Sequence, residues 1–71
     1  MTDKEIIKLS KLCEHWANHN ETHRENFEKW RDKAEEKKLT EVVNNLNKAI
    51  EVMDSCNIYL LNAKKELDRL I

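Results

Sequence analysis

Three histidines stand at four-residue steps: His15, His19 and His23. On an α-helix each such step advances only about 40° past a full turn, so the three imidazoles form one ridge. Neighbouring imidazoles at i and i+4 can hold one metal ion, as in helical H-E-x-x-H sites. All three on a straight helix cannot easily share an ion, because His15 and His23 are about 12 Å apart along the axis. The expected site is two adjacent histidines plus a ligand from a second helix or from a symmetry mate. Cys56 is the leading candidate for that ligand. Imidazole with thiolate suits Zn, Ni, Co or Cu(I), not Mg or Ca. Asn20 and Asn57 are candidates to orient the imidazoles, and Met53 faces the same layer.

Two helices must carry these residues. In the first half, apolar and polar seam positions run Ile6, Leu9, Cys13, Trp16, Asn20, His23, Phe27, Trp30, Ala34. In the second they run Leu39, Val42, Leu46, Ala49, Met53, Cys56, Leu60, Ala63, Leu67, Leu70. Steps alternating between three and four residues mark one stripe of a helix, and a strict seven-residue repeat predicts coiled-coil-like packing. The break falls at Lys37-Lys38-Leu39-Thr40, with Thr40 the expected N-cap of the second helix and Thr2 or Asp3 of the first. The spacing predicts helix 1 over about 3–37 and helix 2 over about 41–70, antiparallel across a short turn. That pairing sets Trp30 against Leu46, Phe27 against Ala49, His23 against Met53, Asn20 against Cys56 and Trp16 against Leu60. Cys13, opposite Ala63, reads as a small core hydrophobe.

Composition narrows the classes. The 71 residues contain no glycine and no proline, which removes phosphate-cradling loops, nucleophile elbows and most β-hairpins. Thirteen basic residues against fourteen acidic ones leave a formal net charge of −1, so no field draws nucleic acid or an anionic membrane surface. No stretch approaches the roughly 20 apolar residues of a membrane span. The N-terminus has no signal-peptide pattern, and two widely separated cysteines suit a reducing compartment, so a cytoplasmic location is expected. No catalytic constellation is present, and the Glu-x-x-His pairs of di-iron bundles are missing.

Apolar residues exceed what one seam can hide: Ile7, Leu12, Val43, Ile50, Val52, Ile58, Tyr59, Leu61 and Ile71 lie outside it. Such an excess asks for a further surface, and small helical chains often find it by oligomerising. The expected architecture is therefore all-α: a two-helix hairpin that dimerises into a four-helix bundle.

The run His15-Trp16-Ala17-Asn18-His19-Asn20-Glu21-Thr22-His23, followed by Phe27, Trp30 and Ala34, resembles a small helical module of bacteria and archaea with the pattern H-W-x-x-H-N-x-x-H-x-x-x-F-x-x-W-x-x-x-A. The module occurs alone and on the C-terminal side of proteins similar to the nickel-accessory protein of carbon monoxide dehydrogenase. The resemblance covers about residues 12–70 and implies a role near nickel or another late transition metal, mapped onto His15, His19 and His23. Two departures stand out. The turn usually carries a glycine where this chain has Lys37-Lys38-Leu39, and the usually alanine-rich second helix here contains Met53 and Cys56.

Two functional expectations follow. One is a non-enzymatic, dimeric transition-metal-binding protein that handles Ni, Co, Zn or Cu, with a metalloprotein or metallochaperone as partner. The other is a protein–protein interaction module in which the His23 and Asn20 layer only sets register, as a buried Asn does in coiled coils.

Overall fold

A computed structural model describes residues 3–71. Two helices fill nearly all of it: α1 (Lys4–Glu36) and α2 (Thr40–Asp68). They pack side by side along their length as an antiparallel hairpin, as the periodicity predicts. Asp3 caps α1, its Oδ1 accepting from the Glu5 N–H at 2.8 Å; Thr2, the other expected cap, lies outside the described residues. Glu5 in the first turn and Lys33 in the last turn of α1 complement its dipole.

The turn is a Schellman motif built without glycine. The Leu39 N–H donates to Ala34 O at 3.0 Å and the Lys38 N–H to Glu35 O at 3.0 Å, satisfying carbonyls that the helix end would otherwise orphan. This places Lys38 in the left-handed region at φ 60°, where a Cβ is disfavoured and glycine is the usual choice. The cap of α2 also differs from expectation. Leu39 is the cap residue, with no side-chain bond, and Thr40 is already helical. The Schellman bonds hold Leu39 in place, and its carbonyl takes the Val43 N–H at 2.9 Å.

Half of the expected seam is present and half is displaced by one residue. Cys13 and Ala34 are buried, and Ile6, Asn20 and Phe27 are half-buried, as are Leu46, Met53, Leu60 and Leu67 on α2. The other stripe of α1 is Ser10, Ala17, Arg24, Arg31, not Leu9, Trp16, His23, Trp30; on α2 it is Val43, Ile50, Asn57, Lys64, not Val42, Cys56, Ala63, while Ala49 stays half-buried as expected. Trp16 is 43% and Trp30 58% exposed, so neither aromatic is core within one chain. The small side chains Ser10 and Ala17 permit close helix approach. The arginines lie over the seam with their guanidinium groups at its edge, as long amphipathic side chains do.

The result is a rod of 57 × 14 × 11 Å with a radius of gyration of 16.3 Å, where a globular chain of this length would have about 11 Å. A rod two helices thick has little interior. Cys13, Ala17, Ala34, Ile50 and Ser10 are its buried side chains among the described residues. No helix of the described residues is long and apolar enough to cross a membrane.

Candidate metal centre

His15, His19 and His23 all fall in the middle of α1 and all are exposed. Their ridge is uneven. His19 and His23 bring their Nε2 atoms to 3.0 Å, with ring planes at 85° and centroids 4.5 Å apart. His15 and His19 stack loosely, with centroids 6.3 Å apart. On the other side His23 lies 6.4 Å from the Phe27 ring. One pair thus aims two nitrogens at each other, and the third imidazole stands apart. At that separation a neutral pair can share one proton, whichever ring carries it. The same separation suits a common ion. Two nitrogens bound at about 2.0–2.1 Å and about 90° apart stand about 3 Å from one another, whereas a tetrahedral angle opens them to about 3.4 Å.

Cys56 does not join that pair. It is an exposed free thiol, and its sulfur accepts from Asn20 Nδ2 at 3.7 Å. Asn20 also donates to Asn57 Oδ1 at 3.0 Å. The expected Asn20–Cys56 apposition across the seam is therefore present, and the two asparagines bond each other and not the imidazoles. Asn20, Phe27, Ala49, Val52, Met53 and Cys56 border an open, largely apolar groove of about 620 Å³. Among the described residues, no three His, Cys, Asp or Glu side chains converge as a metal cage.

A ladder of polar contacts along the opposite edge escaped the apolar reading of the sequence. Ser10 Oγ donates to Asp68 Oδ1 at 2.5 Å. Arg24 Nε donates to Asp54 Oδ1 at 2.5 Å and its NH2 to Oδ2 at 3.2 Å. Arg31 NH1 donates to Asn47 Oδ1 at 3.1 Å. Arg24 also pairs with Glu28. The ladder's positions are spaced by multiples of seven, 10, 24 and 31 on α1 and 68, 54 and 47 on α2, a signal carried by polar side chains and interrupted at Ala17 and Leu61. The contacts move protonation equilibria. The hydrogen bond to Asp54 pushes the Arg24 guanidinium further up. Bonds from Lys64 first and Ser10 second hold the Asp68 carboxyl below its ordinary 3.8, and Asp68 in turn raises Lys64. His23 takes no part in this ladder.

Residues 9–67 match the family model described as a domain of unknown function, DUF8180, and the chain belongs to that family. No curated protein and no solved structure matches it.

Proposed function

We propose that this member of a family of unknown function is a non-enzymatic binder of a late transition-metal ion, with His19 and His23 as the chelating pair. The observation that carries the reading is the 3.0 Å approach of their two Nε2 atoms. That spacing favours an ion with bond angles near 90°, as nickel and Cu(II) take in square-planar or octahedral sites. The resemblance of the histidine motif to a nickel-associated module points the same way. Exposure suits a site that acquires and passes on its ion, and a role in metal handling follows from that. His15 stands beside the pair as an entry ligand, and Cys56 serves the groove on the neighbouring face.

Titration of the protein with Ni(II), Co(II) and Zn(II) tests the reading. Stoichiometric binding is expected, lost in both His19→Ala and His23→Ala and less affected in His15→Ala. Affinity no better than that of the triple histidine-to-alanine variant ends it. Binding weakens as pH falls, because protons compete for ligand imidazoles.

One observation favours the interaction-module reading: the Asn20–Asn57 bond across the seam, a polar pair of the kind that fixes register. It accounts for Asn20 and leaves the His19–His23 contact as a hydrogen bond between neighbouring imidazoles. Under that reading alone, Asn20→Leu raises stability while loosening register, and no ion binds stoichiometrically.

A further inference from the structure

The His19–His23 pair supplies two donors, and no third His, Cys, Asp or Glu converges with them among the described residues. Ni(II), Co(II) and Zn(II) take four or more ligands, water included. A centre built on this pair is therefore incomplete in one chain, and what lies around it indicates how it is completed.

His23 belongs to the stripe Leu9, Trp16, His23, Trp30 that the seam leaves outside. Its apolar members are 42%, 43% and 58% exposed. The α2 cap residue Leu39 and, within α2, Val42 lie exposed beside Trp30, and Val52 beside Phe27, on the same side of the hairpin. Complete coverage of these six side chains in two facing copies would bury at most about 1,200 Å², the lower end of the range of stable specific interfaces. The adjoining stripe of α1 reads Glu5, Leu12, His19, Asn26, Lys33. It is self-complementary about its centre: acidic at one end, basic at the other, with a histidine in the middle. Lys33 already lies on this face, with Nζ 4.5 Å from the centroid of the Trp30 ring. His19 is one residue from the midpoint of the 33-residue α1.

We propose that this face receives a second copy of the chain in a two-fold, antiparallel α1–α1 arrangement that brings His15 of each copy to the His19–His23 pair of the other, completing two metal centres of three imidazoles each. The inference rests on the metal reading of that pair. An isologous interface requires each patch to complement itself. Antiparallel overlap of α1 along its full length sets Glu5 against Lys33 of the second copy at both ends. The same overlap sets His19 against its own copy in the middle, sets His23 against His15 of the second copy on either side of it, and encloses Trp16 and Trp30 between the hairpins. A four-helix bundle results, and the exposed aromatics become its core.

Native mass spectrometry and sedimentation equilibrium, on the apo protein and with Ni(II) alone as probe, decide the matter. A dimer carrying one ion per chain is expected, with His15→Ala lowering its affinity for Ni(II). Trp30→Glu weakens dimerisation by about 100-fold or more, as loss of an enclosed aromatic anchor does, with helicity by circular dichroism retained. Glu5→Lys and Lys33→Glu singly weaken it by about tenfold and restore it when combined, since each single change sets like charges together at two symmetric places. A monomer that binds one ion per chain overturns the shared centre and leaves the metal reading intact. So does a charge-swap pair that fails to restore the dimer. A dimer with no bound ion overturns both the metal reading and the centre built on it. A chain that stays monomeric at tens of micromolar with and without Ni(II) overturns the second copy as occupant, in favour of a different protein.

Discussion

Arg24 of α1 grips Asp54 of α2 with two nitrogens, Nε to Oδ1 at 2.5 Å and NH2 to Oδ2 at 3.2 Å. The fork matches a carboxylate in a way that a lysine cannot. It is the one doubly bonded contact between the helices among the described residues, and Arg24 directly follows His23 in α1. It fixes which residues of α1 face α2, and so keeps His19 and His23 outside the seam.

A double-mutant cycle over Arg24→Met and Asp54→Asn is expected to show a favourable coupling, and Arg24→Lys to recover only part of it. Salt weakens the coupling, because both groups remain in contact with solvent. Additive effects of the two single changes in urea melts would show that the contact does not set the register.

Asp68 ties the last turn of α2 to Ser10 and Lys64. Its carboxyl is held below the ordinary 3.8 by Lys64 first and Ser10 second. A carboxylate with a lowered folded-state value stabilises the fold above its unfolded value. That stabilisation disappears as pH falls through the folded value. Stability should therefore decline below about pH 4, and less steeply in Asp68→Asn. Ser10→Ala is expected to move the Asp68 titration back towards its ordinary value. Carboxyl chemical shifts followed through an acid titration check both points.

Lys38 holds φ at 60° where glycine would be unstrained. Lys38→Gly is expected to raise stability by about 1 kcal/mol, relieving the left-handed penalty of a residue with a Cβ. The urea midpoint should rise at unchanged slope. A fall in midpoint would mean that glycine's greater freedom in the unfolded chain outweighs the relief.

The displaced seam separates neighbours on α2. Ile50 is 7% exposed and Val52 60%. Ile50→Ala is expected to cost about 2–5 kcal/mol, whereas Val52→Ala should cost within about 0.5 kcal/mol in the monomeric hairpin. Phe27→Ala should behave like Ile50→Ala, since Phe27 borders the seam. Trp30→Ala should behave like Val52→Ala under conditions that keep the chain monomeric. Equal losses at Ile50 and Val52 would reject the observed packing.

Fold class, the position of the break and one stripe of each helix seam were legible in the sequence by itself. Cys13, Asn20, Phe27 and Ala34, with Leu46, Met53, Leu60 and Leu67, recur every seven residues, and a chain without glycine or proline has few alternatives to helix. The i, i+4 spacing of His19 and His23 likewise decided that they would be neighbours, because helix geometry is local. Only the tertiary structure decided which stripe completes each seam. Leu9, Trp16 and Trp30 sit one residue from Ser10, Ala17 and Arg31, about 100° around the same helix, and periodicity tolerates either rotation. Hydropathy alone favours burying the tryptophans. Cross-helix packing instead favours the small residues that let the backbones approach and the arginines that reach Asp54 and Asn47. That rotation is a property of two surfaces meeting, which no single helix encodes. It leaves Trp16, His23 and Trp30 together on one outer face.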